Sequence, residues 1–114
     1  MRLKWGKLSL PYPQIHFSGD YLRLYTITIH LHASISSGIS TLTGEIDENS
    51  SILEGLVSII SKEEEISKIL IYENDIRFGY LILSEKVELR TTKQIDSKVN
   101  KDMEIRIIPI SHGG

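Results

Sequence analysis

The sequence predicts an α+β domain, a mixed sheet with one amphipathic helix packed across a single face. Three observations carry that prediction. Apolar residues alternate from Tyr25 to Ile35, the spacing changes to three and four residues between Ile52 and Ile60, and short β-branched runs return after residue 68. A chain of 114 residues fits one domain and leaves no room for a second core. With 40% apolar and 25% charged residues it has the composition of a packed globular protein. Cysteine is absent, which excludes a disulfide scaffold, a thiolate zinc site and a cysteine nucleophile within this chain.

The first predicted strand sets Tyr25, Ile27, Ile29, Leu31, Ala33 and Ile35 against Thr26, Thr28, His30, His32 and Ser34, one face on a core and one toward water. Ser36-Ser37-Gly38 makes the turn, and Ile39 to Ile46 returns as an antiparallel partner rich in Thr and Ile. Ser51-Ile52-Leu53-Glu54 has the form of a capping box, in which two side chains satisfy backbone donors at a helix start. Ile52, Leu53, Leu56, Val57, Ile59 and Ile60 then form one apolar stripe. Carboxylates oppose the dipole at a helix C-terminus, so the helix is expected to end or fray at Lys62-Glu63-Glu64-Glu65.

Beyond the helix, Lys68 to Glu73, Arg77 to Leu83 and Val87 to Arg90 read as short strands, with Glu73-Asn74-Asp75 as a turn. Residues 93–101 read as a polar loop anchored by Ile95 and Val99. Met103 to Ile110 is the last strand, with Ile105 and Ile107 on one face and Arg106, Ile108 and Ile110 on the other. Pro109 lacks a donor and marks where this strand leaves the sheet. Residues 1–20 stand apart. Their breaker clusters surround Trp5, Leu8, Leu10, Tyr12, Ile15 and Phe17, which is too much apolar surface for a free tail, so this extension is expected to lie against the domain of residues 21–114.

Several functions are disfavoured. A net charge of −2 and a pI near 6.1 leave no cationic excess for phosphates, so nucleic acid is not an expected partner. Met1 to Pro13 has no continuous apolar run of a secretory signal, and Leu24 to Gly44, though uncharged, alternates and is dotted with Ser, Thr and His. A cytoplasmic protein without a membrane partner is expected. His30 and His32 have a spacing that can bind zinc or copper, but His16 and His112 are distant in sequence and the polar face of a strand accounts for the pair. Asp47-Glu48 and Glu63-Glu64-Glu65 read as solvated charge runs, not as paired catalytic carboxylates. No nucleophile elbow, phosphate loop or dinucleotide fingerprint is present, so autonomous catalysis is not expected.

The chain closes with Pro109-Ile110-Ser111-His112-Gly113-Gly114. Glycine has no Cβ, so an extended Gly-Gly segment threads a channel too narrow for other residues. The terminal carboxylate is then the reactive group at its tip. Six extended residues reach at most about 20 Å, enough to carry that carboxylate from the folded body into another protein.

The strand and helix order together with this ending resembles the ubiquitin-like β-grasp family of sulfur carriers and modifiers. The strongest local likeness is Val99-Asn100-Lys101-Asp102-Met103-Glu104-Ile105-Arg106-Ile107-Ile108-Pro109 followed by the diglycine. It is similar to the family's apolar residue, Lys-Asp turn, last strand and proline before Gly-Gly. Ile110 stands where a second proline is usual, and the preceding turn lacks its glycine. The resemblance covers about residues 22–114 and implies a β-grasp fold with a flexible tail over 109–114.

It further implies that Gly113 and Gly114 are the activation site. A ubiquitin-activating-type enzyme would adenylate Gly114 using its own ATP, with no cofactor held by this chain. The product would be a thiocarboxylate for a sulfur-accepting enzyme (in molybdopterin, thiamine or tRNA thiolation) or an isopeptide bond to a lysine of a target protein. Ile108, Pro109, Ile110, Ser111 and His112 are the candidate partner-binding residues. An alternative covering for Ile108 and Ile110 is the N-terminal extension itself. An alternative use of the fold is a protein-interaction module that is never activated.

Overall fold

The computed structural model describes residues 22–110; the extension 1–20 and Ser111, His112, Gly113 and Gly114 lie outside the described residues. Two strands open the fold, β1 (Leu24–Leu31) and β2 (Thr41–Asp47), paired antiparallel with Ile29 opposite Leu42 and Ile27 opposite Gly44. The alternation predicted as far as Ile35 leaves the sheet at Leu31. Ile35 is still buried, but within the turn, where its N–H donates to the His32 carbonyl at 2.9 Å.

Helix α1 (Ile52–Ser61) starts where the capping box is expected. Ser51 Oγ accepts from Glu54 N–H at 3.1 Å, and Glu54 Oε1 accepts from Ser51 N–H at 2.8 Å. Ile52, Leu56, Ile59 and Ile60 of its stripe are buried against the sheet, with Gly55 among them.

Two expectations are corrected after α1. The single-helix reading fails, because Glu64–Leu70 forms a second helix, α2. The glutamate run does end α1, but Glu64 and Glu65 also sit in the first turn of α2, where negative charge suits the helix dipole, and Lys68 sits in its last turn. Hence the first half of the segment read as the strand Lys68–Glu73 is helical, and α2 buries Ile66 and Leu70 one turn apart. Only Ile71–Tyr72 (β3) is extended, paired with Asp75–Ile76 (β4) across a tight turn in which Glu73 (φ 50°) and Asn74 (φ 61°) are left-handed.

The strand read as Arg77–Leu83 begins instead at Tyr80, as β5 (Tyr80–Ser84), and pairs with the short β6 (Val87–Glu88). The loop that follows carries one 3-10 turn over Gln94–Asp96, and both predicted anchors, Ile95 and Val99, are buried. This loop is tied to the start of α1, since Ile52 N–H donates to Ser97 O at 2.9 Å and Val99 N–H to Ser50 O at 2.9 Å.

The last strand, β7 (Met103–Pro109), enters the middle of the sheet, giving the order β2-β1-β7-β5-β6. It runs parallel to β1 and antiparallel to β5. Asp102 prolongs the central ladder, its Oδ1 accepting from Thr26 N–H at 2.9 Å. Ile27, Ile29, Ile82, Ile105 and Ile107 form the floor of a core roofed by the two helices.

Close approach of α1 to the sheet depends on two glycines. A Cβ on Gly44 would meet Ile59 Cγ1 at 2.7 Å, and one on Gly55 would meet Ile46 Cγ1 at 3.0 Å. Each isoleucine lies over the other element's glycine. Gly44→Val is therefore expected to cost roughly 1–3 kcal/mol through overpacking, read as a lowered midpoint in urea, because helical isoleucine has little rotamer freedom with which to retreat.

Glu88 closes the β5–β6 hairpin, accepting from Ile82 N–H at 2.9 Å and from Thr91 N–H at 2.6 Å. Partial burial pushes its carboxyl value up, but these bonds and the charge of Arg90 outweigh burial and hold it below the ordinary glutamate range. Its stabilisation is complete above the unfolded-state value and fades as pH falls through the lower folded-state value. The melting temperature of Glu88→Gln should therefore lie below that of the parent at neutral pH, with the gap narrowing below about pH 4.

Candidate functional site

The candidate site is the upper end of β7, where the chain leaves the sheet toward Ser111. Residues paired across strands share a face, so the pairings divide the sheet. Ile105 and Ile107 point to the core at 0% exposure. On the other face Arg106 lies between His30 and Leu83, and Ile108 lies beside Leu81. Pro109 pairs with Tyr80, and Ile110 N–H donates to Gly79 O at 2.8 Å as the last contact of the strand with the sheet. On the opposite flank His32 N–H donates to Ile107 O at 3.1 Å. The strand is thus held on both sides as far as Ile107, and on the β5 side alone up to Ile110.

Of the predicted partner-binding residues, Ile108 and Pro109 are half-buried and Ile110 is exposed at 38%. Ile108 and Ile110, together with Leu81 and Leu83, make the upper part of the outer face apolar, while Pro109 shares the face of Ile105 and Ile107. Ser111 and His112, and the activation residues Gly113 and Gly114, lie outside the described residues. The lower part of the same face is polar, a shallow concavity of about 870 Å³ lined by Thr26, Thr28, His30, Asp102, Glu104 and Arg106 among others.

The histidines predicted as a strand pair are separated by the end of β1. His30 Nε2 lies 2.8 Å from Glu104 Oε1, whereas His32 Nδ1 accepts from Ser34 N–H at 3.1 Å in the turn. Among the described residues no three His, Cys, Asp or Glu side chains are grouped to hold a metal ion. The acidic runs serve local structure. Asp47 Oδ1 accepts from Asn49 N–H at 2.9 Å, and Glu48 Oε2 accepts from Arg23 N–H at 3.3 Å. No helix among the described residues is long and apolar enough to cross a membrane.

One feature beside the tail root escaped the sequence reading. In a strand from Arg77 to Leu83, Phe78 would share the core face with Tyr80 and Ile82. Because β5 starts only at Tyr80, Phe78 falls in the preceding turn at 83% exposure, the largest among the described bulky apolar side chains. Tyr72 of the β3–β4 hairpin is 58% exposed and lines the same concavity as Phe78, one of about 400 Å³. Gly79, directly after Phe78, was the available sign that the strand begins late.

No protein-family model matches the chain, and no curated protein matches it in sequence. Solved structures do match. The crystal structure of SAMP1 from Haloferax volcanii aligns at a TM-score of 0.60 and 13% identity, over 78% of this chain and 99% of its own. The small archaeal modifier protein 1 from Methanosarcina acetivorans aligns at 0.62 and 16%, over 81% and 99%. A chain of the BexX/CysO complex from Amycolatopsis orientalis aligns at 0.54 and 16%, over 77% and 99%. At these identities the likeness is one of fold, and the fold is the ubiquitin-like β-grasp.

The division of β7 into core and outer faces gives a direct test. Ile107→Ala should cost about 2–5 kcal/mol, as for a buried isoleucine cut back to a methyl group. Ile110→Ser should stay within about 0.5 kcal/mol of the parent. Urea denaturation of the two variants checks the assignment.

Proposed function

We propose that the protein is a ubiquitin-like carrier or modifier that acts through the carboxylate of Gly114 and is a substrate of an activating enzyme, not an enzyme itself. The observation that carries the reading is positional. A β-grasp domain holds its central strand rigidly to Ile110, and four residues further along the sequence stands the second of two adjacent glycines. That arrangement suits delivery of a slim, unbranched end into a channel on another protein.

In the first step a carboxylate oxygen of Gly114 attacks the α-phosphorus of ATP, and pyrophosphate leaves. The resulting acyl-adenylate has AMP as a good leaving group. Hydrosulfide displacing AMP leaves a thiocarboxylate; a lysine amine of another protein displacing AMP forms an isopeptide bond and releases a proton. ATP and the adenylating residues belong to the partner, and this chain supplies the carboxylate and the surface that seats it. The cytoplasm, where ATP is made available to such a partner, is the proposed compartment. SAMP1 and CysO share this fold, and that likeness supports the modifier or carrier class for this protein.

The test is intact-mass analysis after incubation with ATP, sulfide and the activating enzyme of the same organism. Exchange of one oxygen for sulfur at Gly114 is expected for a carrier, and attachment to other proteins through Gly114 for a modifier. Deletion of Gly113 and Gly114 should abolish either product without changing the melting temperature. An unchanged mass alongside a reacting control carrier would refute activation and leave the interaction-module reading.

A further inference from the structure

We propose that Phe78 and Tyr72, with Arg77, form a second docking anchor for the protein that receives the tail, and that its matching surface carries an apolar pocket flanked by carboxylates. The proposal rests on the reading of Gly114 as the reactive end.

The first argument is the length of the leash. Ile110 is fixed to Gly79 by the 2.8 Å hydrogen bond, and Gly114 lies four residues beyond it. Four extended residues span at most about 14 Å. A folded partner that encloses the Gly114 carboxylate must bring its surface that close to the end of β7. Phe78 immediately precedes Gly79, so such a surface arrives beside the turn that carries Phe78.

The second argument is that the fold makes no use of Phe78 as an apolar side chain. It is 83% exposed, and the nearest group stacking on it is a cation. That cation, Arg90, is itself pinned. Its Nη1 donates to Arg77 O at 3.2 Å and its Nη2 to Asp75 Oδ1 at 3.2 Å, placing the guanidinium 5.0 Å from the Phe78 ring centre. One face of the ring is therefore held in place and the other is left to water. Tyr72, at the end of β3, has the Arg77 guanidinium 5.2 Å from its ring centre. Two aromatic rings displayed to solvent, each with a cation near one face, leave apolar area that the fold itself does not bury and that a partner's pocket can take up.

The chemistry of the occupant follows from the charges. Arg90 is already matched by Asp75, but Arg77 beside the rings and Arg106 on the outer face make no ion pair among the described residues. Arg77 directly precedes Phe78, and Arg106 stands on β7 four residues before Ile110. A partner surface with carboxylates opposite these two arginines and an apolar recess opposite the rings complements the patch. The patch is continuous, through Gly79 and Ile110, with the apolar upper face at Leu81 and Ile108.

The experiment measures ATP–pyrophosphate exchange by the activating enzyme of the same organism, with the full-length chain as the varied substrate. In the double variant Phe78→Ala and Tyr72→Ala, KM for this chain should rise at least about tenfold with kcat unchanged. Its thermal melt should match the parent's, and Phe78→Tyr should restore most of the affinity. Arg77→Glu should raise KM as well. A chain lacking Gly113 and Gly114 should compete with the parent for the enzyme, and the double variant in that background should compete at least about tenfold less well. If the parent is turned over and the double variant shows the same KM, the anchor is refuted while the tail reading stands. If the parent supports no exchange, the tail reading fails and the anchor fails with it.

Discussion

Parallel pairing of β1 with β7 is the constraint on which the rest of the molecule depends. Parallel neighbours cannot be joined by a tight turn, so everything from β2 to Asp102 forms the excursion between them. Two helices and a hairpin occupy one face of the sheet, and among the described residues no helix covers the other face. The pair also brings Ile29 beside Ile105 and Leu31 beside Ile107, joining the two ends of the described chain in one apolar layer. The side chain of Asp102, four residues before Arg106, fills the next place in that ladder by receiving Thr26 N–H. The aspartate that carried much of the family likeness in sequence thus has a structural task at the foot of the strand.

Rigidity at the foot of β7 becomes definition at its top. The reciprocal Gly44–Ile59 and Gly55–Ile46 contacts press α1 onto β1 and β2, while the 94–99 loop closes over the start of that helix. The strand emerging at Pro109 therefore leaves a body with little freedom to shift beneath it. The length between α1 and β5 is spent on α2 and the β3–β4 hairpin. Leu70 O accepts from Arg77 N–H at 2.8 Å, so this insertion is tied to the turn that presents Phe78. An element absent from a minimal sheet-and-helix plan thereby shapes the surface nearest the tail.

Long, strongly patterned segments were legible in the sequence. The alternation of β1, the stripe and capping box of α1, and the facing pair Ile105 and Ile107 each rest on one period acting over several residues. The failures share a cause. Glu63-Glu64-Glu65 has opposite electrostatic meanings at the end of one helix and the start of the next, and the sequence alone does not say that both apply. Lys68 to Glu73 is a short apolar run, which a strand and a buried helical turn accommodate equally well; the four-residue step from Ile66 to Leu70 held the answer. Of the site, the exit of β7 at Pro109 and Ile110 was readable from one proline and one alternation. The turn holding Phe78 was not, because its position depends on where β5 begins pairing with β7, a tertiary fact.

The central position of β7 has a consequence for biosynthesis. A polypeptide is made from its N-terminus, and domains fold as units when their segments become available. Here residues 103–109 contribute two fully buried isoleucines and the neighbours of both β1 and β5. A nascent chain stopped before them has a split sheet with unpaired edges and no complete core. The segment that follows β7 is consequently never offered to the surroundings by a body whose folding is still pending on it, and premature truncation yields a product for degradation instead of a defective participant.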